Sequence, residues 1–231
     1  MIEDPPLLTI RRRIERMPQD VLDGFRGVAT SWIVDALEGR AALDPAIRPV
    51  LSSTGVPRHV VGSALTCFCA GNDNLALAAA LPLVEPGDIL MVANEGFRGA
   101  CVTGDLICGM AKNRGAVALV TDGLVRDVAI LERVGLPIFA AGVTPNSCAR
   151  NGPGSIGLPI GIGGRRVESG DVVVGDADGV VVVAKAQVPE VLERLVTIRQ
   201  LEGELDAKVK AGQDHLPSLA ELLGSDRVRW V

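Results

Sequence analysis

Three short runs between residues 88 and 143 are apolar at nearly every position: "DILMVAN" (88–94), "AVALVT" (116–121) and "PIFAAGV" (137–143). Each is separated from the next by a helix-sized stretch, the pattern of strands buried on both faces in a sheet with crossover helices. Upstream, "RHVVGSALTCFCAG" alternates and is rich in β-formers, which predicts a strand ending at Gly71. "NDNLALAAALPLVEPGD" opens with Asn and Asp caps, runs as an Ala/Leu helix and stops at Pro-Gly. "PQDVLDGFRGVATSWIVDALEG" predicts a helix, a break and a second helix that stops at Gly39.

The C-terminal third changes character. Two Val-rich strands flank "GDADG" in "RRVESGDVVVGDADGVVVVAK", an antiparallel pair, so the sheet is expected to be mixed. One long amphipathic helix is predicted from Gln187 to Ala211, followed by a short helical stretch at "SLAELLG". Along the long helix Val188, Val191, Leu195, Ile198, Glu202, Leu205 and Val209 follow three-four spacing, which places Glu202 on an otherwise apolar stripe. A carboxylate buried there needs a partner; equally, periodicity allows Glu202 to be the solvated edge of a wide stripe. No repeat, linker or low-complexity segment divides residues 1–231, so a single α/β domain is expected.

Composition narrows the function. Hydrophobic residues are 48% of the chain but aromatics only 3%, with no tyrosine, so Val, Leu, Ile and Ala must build the core. A net charge of −5 argues against a nucleic-acid partner, which needs a basic face and stacking aromatics. The N-terminal stretch is charged where a signal peptide is apolar, and no apolar run is long enough to span a membrane. Five cysteines, an odd number within apolar segments, read as reduced thiols; a cytoplasmic protein is expected.

Only two histidines, His59 and His215, are present and neither has metal-ligand spacing. Chemistry therefore falls to carboxylates, arginine and a hard metal ion that prefers oxygen. "GIGG" (161–164) precedes no helix, so a dinucleotide or S-adenosylmethionine site is not expected. Two other loops are better placed. "NEGFRGACVTGDLICGMAKNRG" enters a helix near Gly104 and Asp105, where free backbone N–H groups form a ready anion site. "TDGLVRD" (121–127) leaves the next strand and enters another helix, so Asp105, Arg126 and Asp127 can converge on one sheet edge. Taken singly, Asp105 and Asp127 read equally as helix N-caps, and Arg126 as a solvated residue.

Together the loops resemble a family. "GDL" (104–106), with twenty residues between Asp105 and the adjacent Arg126-Asp127, is similar to the D-x20-R-D pattern of the 4-hydroxy-4-methyl-2-oxoglutarate aldolases and their RraA-like relatives. "SWIVDAL", "GNDNLALAAALPLVEPGDILMVAN", "RGAVALVTDGLVRD", "GLPIFAAGVTP" and "GDVVVGDADGVVVV" extend the resemblance over about residues 25–212. It implies an α/β sandwich around a mixed sheet or barrel-like core, assembled as a homotrimer or as a hexamer made of two trimers. It also implies a lyase acting on pyruvate-type 2-oxo acids, by aldol cleavage or oxaloacetate decarboxylation, with Mg²⁺ or Mn²⁺.

In that reading Asp127 holds the metal and Arg126 binds the oxygens of a pyruvate unit. The N–H groups from Gly104 and Asp105 through Leu106 and Ile107 grip its carboxylate, and Asp105 holds a catalytic water. The family's acid from a neighbouring subunit maps to Glu202, with Glu204 as the other candidate. The chain departs from the pattern at Ile130, where aldolases of the family carry an acid (R-D-x-x-E/D). The RraA regulators of ribonuclease also lack that acid, so a non-catalytic, ribonuclease-binding protein is the alternative implied. A menaquinone methyltransferase, a label attached to similar sequences, is not expected without a cofactor motif.

Overall fold

The computed structural model describes residues 6–39, 41–52 and 54–231. In chain order the first half comprises β1 (Leu8–Ile10), α1 (Gln19–Asp23), α2 (Thr30–Ala36), β2 (Arg48–Pro49), β3 (Val60–Cys69), α3 (Leu75–Ala80), β4 (Asp88–Ala93) and β5 (Cys101–Thr103). Then come α4 (Asp105–Asn113), β6 (Ala118–Thr121), β7 (Leu124–Val125), α5 (Val128–Val134) and β8 (Ile138–Ala140). The remainder is β9 (Gly154–Ile156), β10 (Ile160–Ile162), β11 (Arg165–Val167), β12 (Val172–Asp176), β13 (Gly179–Val183), α6 (Val188–Lys210) and α7 (Pro217–Leu223).

The main sheet is mixed, as the sequence predicts. Its path runs β1-β9-β3-β4-β6-β8-β2, with β12 and β13 attached at β3. β3, β4, β6 and β8 pair in parallel, and all six residues of β4 are buried, which accounts for its unbroken apolar run. β3 is the hub. Its Ser63–Phe68 stretch pairs with β4 on one side. On the other, Val60–Ser63 pairs with β12 and Cys67–Cys69 with β9, both antiparallel.

Both faces of the sheet are covered. Leu77 of α3, Cys108 of α4 and Leu131 of α5 pack on one face with Leu65, Leu90 and Leu119. The β10–β11 hairpin covers the other, placing Ile160, Ile162 and Val167 against Ile89, Met91 and Val120. The predicted Val-rich hairpin β12–β13 is antiparallel and alternates sides. Val173 and Val180 join the second layer, while Val172, Val174, Val181 and Val183 pack on Phe25, Ile33, Val191 and Leu195 from the α1–α2 region and α6. Asp176, at the end of β12, accepts hydrogen bonds from the Thr30 N–H and hydroxyl at 2.8 Å each and so fixes the start of α2.

Two expectations shift. The strand at residues 58–71 stops at Cys69, because Asn94 Nδ2 reaches the carbonyls of Cys69 (3.3 Å) and Ala70 (3.0 Å) and takes them out of the sheet. The stripe of the long helix is buried only through Val188, Val191 and Leu195. Beyond Ile198 none of the described residues covers it, so Glu202 stands exposed beside the exposed Leu201, Leu205 and Val209.

Candidate active site

The twenty-residue spacing between Asp105 and Arg126 has a structural cause. β5 and β7 pair in parallel, with Thr103 opposite Val125, and the Arg126 N–H donates to the Thr103 carbonyl at 3.1 Å. The residues that follow each strand, Gly104-Asp105 and Arg126-Asp127, therefore leave side by side. A third segment joins them, since the Val125 N–H donates to Gly142 O (3.0 Å) and the Thr144 N–H to Val125 O (2.9 Å).

Gly104 is the N-cap of α4, and the Cys108 N–H donates to its carbonyl at 3.2 Å. The N–H groups of Asp105, Leu106 and Ile107 precede that first helical bond and are free by the geometry of a helix start. Asp105 is half-buried in this turn, and Leu106 is exposed. Asp127 is the N-cap of α5, yet its side chain makes no capping hydrogen bond. Its backbone is left-handed (φ 63°, ψ 35°), and the carboxylate accepts from Arg126 Nε at 3.1 Å instead. Neither reading as a simple cap or a solvated residue describes this pair: an arginine and an aspartate clasp each other over a glycine.

Arg126 also donates through one terminal nitrogen to Ser147 Oγ. Its guanidinium separates two hollows. The inner one, about 140 Å³, is lined by Asn74, Thr103, Gly104, Asp105, Arg126 and Arg150 among others. The outer one, about 300 Å³ and open, is flanked by Arg126, Asp127 and Val143. Gly104, Asp105, Leu106, Ile107 and Arg126 thus line the inner cavity together, and Asp127 lines the outer hollow beside Arg126.

Sequence reasoning missed the opposite wall. Arg150 Nε donates to Asn74 Oδ1 at 3.0 Å, and buried Asn74 is held in turn by donating to the Val102 carbonyl at 3.1 Å. Asp73 brings this wall in: one carboxylate oxygen caps α3 at the Leu75 N–H (2.7 Å), and the other accepts from the N–H groups of Asn151 and Gly152. The only local signal was an Asn-Asp-Asn run, and it says nothing of a partner so far along the chain.

Cys101 and Cys148 also face the inner cavity, but burial raises both thiols above the ordinary cysteine range, so neither is primed as a nucleophile. The first aspartate of "TDGLVRD" is structural. Asp122 accepts from the N–H groups of Asn94 (2.6 Å) and Gly96 (3.2 Å), tying the end of β4 to that of β6, and burial raises its carboxyl above the usual range. Ile130 lies on α5, half-exposed, and donates its N–H to the Asp127 carbonyl at 2.8 Å. Within one chain no described hydrogen bond or ion pair joins Glu202 or Glu204 to this site; Glu204 accepts from Gln200 Nε2 at 2.9 Å.

The family model described as RraA-like, Aldolase/RraA, matches residues 30–182, which include every residue of this cavity. The chain belongs to the RraA-like family. A relative from Halalkalibacterium halodurans, named "Putative 4-hydroxy-4-methyl-2-oxoglutarate aldolase", is 34% identical over 204 residues, 88% of this chain and 94% of its own. Among solved RraA-like folds, an uncharacterized protein from Pseudomonas syringae pv. tomato superposes with a TM-score of 0.75 at 25% identity, covering 86% of this chain and 96% of that one. Streptomyces coelicolor RraAS2, described as an unusual member of the RNase ES inhibitor RraA protein family, gives 0.71 at 26%, covering 84% and 100%. This RraA-like chain has a sandwich around a mixed sheet, and none of its described helices is long and apolar enough to cross a membrane.

Proposed function

We propose that this RraA-like protein is a Mg²⁺- or Mn²⁺-dependent lyase that cleaves the carbon–carbon bond next to the pyruvate unit of a 2-oxo acid. The observation that carries the reading is the side-by-side exit of Gly104-Asp105 and Arg126-Asp127 from β5 and β7. It sets three free N–H groups, a guanidinium and the Asp105 carboxylate around the inner cavity, with the Asp127 carboxylate on the adjoining outer hollow.

The site suits a hard cation. Asp127 does not spend its carboxylate on capping α5, remains partly exposed and faces the open outer hollow. One carboxylate with room for waters is a common way to hold Mg²⁺, and among the described residues no cluster of three metal-ligating side chains competes with it. Bound there, the ion supplies positive charge beside the developing enolate.

The chain's own groups do the rest. The N–H groups of Asp105, Leu106 and Ile107 hold the substrate carboxylate at the positive end of α4. Arg126, fixed by Asp127 and Ser147, hydrogen-bonds the 2-oxo oxygen and strengthens that bond as charge moves onto it. Asp105 holds a water within reach of the carbon or hydroxyl that exchanges a proton. Arg150 faces the same cavity from the opposite wall, which favours substrates with a second carboxylate, such as 4-hydroxy-2-oxo diacids and oxaloacetate. In this reading Glu202 of a neighbouring subunit completes the metal's surroundings in a trimer or a hexamer of two trimers.

A coupled assay for pyruvate release from 4-hydroxy-2-oxo diacids and from oxaloacetate tests the proposal. Activity that rises with Mg²⁺ or Mn²⁺ and vanishes in excess EDTA is expected; full activity in EDTA rejects the metal-dependent mechanism. A second reading, a non-catalytic protein that binds a ribonuclease, is favoured by Ile130 at the position of the missing acid and by the likeness to RraAS2. No pyruvate from any substrate, with a ribonuclease inhibited on addition of the protein, would establish it.

A further inference from the structure

A second cavity, about 330 Å³, opens at the sheet edge between β2, Leu51 and Ser52, Val56 to Arg58, and the start of β8. It shares no lining residue with the two hollows at Arg126. Much of its wall is apolar, formed by Pro49, Pro57, Pro137, Val56, Ile138 and Phe139, and the three prolines offer no N–H donor. Two guanidiniums, Arg48 and Arg58, and the Ser52 hydroxyl are the polar side chains that reach it. Among the described residues no carboxylate side chain lines it.

Those arginines are not spent elsewhere. Arg48 Nε donates to the Pro45 carbonyl at 2.7 Å, which orients the group, and its terminal nitrogens have no acceptor among the described residues. Arg58 has neither an ion pair nor a hydrogen bond among them. Glu132 of α5 accepts from the Ser52 N–H at 2.9 Å, and Asp176 and Asp178 flank the lining residue Ala177 without lining the cavity themselves.

The chemistry selects an occupant. A cation meets two like charges, and a neutral ring leaves the guanidinium donors unmatched. A sugar phosphate would set its hydroxyls against prolines and Phe139, where they lose hydrogen bonds. A compact carboxylate with an apolar body satisfies both parts, its ring or branched chain against the prolines and its oxygens bidentate on the arginines. The volume lies at the small end of the range for small-molecule sites, roughly 300–1,000 Å³. We infer that this cavity binds a small arylcarboxylate or similarly apolar carboxylate, separately from the 2-oxo acid at Arg126.

Isothermal titration of the full chain with benzoate tests this, with benzyl alcohol as the uncharged counterpart and pyruvate as competitor. Saturable binding of one benzoate per chain is expected, weaker by about tenfold in each of Arg48→Gln and Arg58→Gln, the scale for losing a charged hydrogen bond. Benzyl alcohol should bind more weakly still, and saturating pyruvate should leave benzoate binding intact. Ala177→Leu, which narrows the cavity from the exposed β12–β13 turn without removing charge, should also weaken binding. The inference fails if benzoate does not bind, if all three variants bind it as the parent does, or if pyruvate displaces it, which would assign the ligand to the Arg126 site.

Discussion

Gly104 and Asp127 touch across two loops: a Cβ placed on Gly104 would lie 2.5 Å from Asp127 Oδ2 and 3.2 Å from Arg126 Nε. The backbone of Gly104 is extended, so any residue could adopt it, and contact alone demands glycine. Gly104→Ala should push the Arg126–Asp127 clasp aside by a few tenths of an ångström or more. Misplacement on the ångström scale costs about 100-fold in rate. A comparable loss of kcat/KM for pyruvate release is expected, with little change in Tm; unchanged kinetics would show that the clasp does not set the geometry of the reaction.

Arg150 makes a different prediction, because it faces the cavity from the wall away from the free N–H groups of α4. Arg150→Gln should raise KM for diacid substrates by roughly tenfold or more, the scale for losing a charged hydrogen bond. It should leave the inhibition constant of pyruvate, a monoacid, nearly unchanged. Equal losses for both would place Arg150 on the pyruvate carboxylate instead.

Ile130 is half-exposed on α5 and one turn from Asp127, so an acid there can be accommodated without burial. Ile130→Glu should raise aldol cleavage relative to oxaloacetate decarboxylation. The ratio of the two rates in the folded variant is the measurement, and an unchanged ratio removes this position from the explanation.

The exposed second half of α6 leads to a test of a shared site. Asp127→Asn and Glu202→Gln should each be inactive, and mixing them under subunit exchange should restore activity in interfaces that contain both unmutated groups. Mass spectrometry checks the exchange. Exchange without recovered activity, from folded and oligomeric single variants, would confine the site to one chain.

Asp122 gives a pH dependence. Burial raises its carboxyl above the ordinary range against the opposing pull of the Asn94 and Gly96 N–H groups and of Arg98. For a carboxylate with a raised folded pKa, the stability it contributes is full below the unfolded value, about pH 4, and is lost as pH rises through the folded value. Asp122→Asn lacks that titration. The Tm difference, variant minus parent, should therefore grow more favourable to the variant as pH is raised from about 4; a flat difference would contradict the assignment.

The parts of this protein that were legible in its sequence share a physical basis. β4, β6 and β8 announce themselves because both of their faces are buried, and Asp105, Arg126 and Asp127 are brought together by neighbouring strands. β1 and β9 are three residues each and take their pairing from distant partners, so no local period marks them; β10 is as short, although its partner β11 follows at once. Asn74 and Arg150 were hidden for the same reason, since Asp73 and Ala149 meet only through the fold. The three-four spacing on α6 is visible in the sequence, but a pattern does not say where its burial ends, and here the stripe is exposed beyond Ile198.

The two-sided pairing of β3 also bears on how the chain is made. As residues emerge from a ribosome, β4, β6 and β8 can join β3 in order of synthesis, each on the edge left by the last. The other edge of β3 stays bare until residues 154–156 and 172–176 arrive. An unpaired strand edge is a template for pairing with other chains. A chain that stops before Val172 therefore lacks the partner of Val60–Ser63 and leaves that stretch of β3 unpaired on one side.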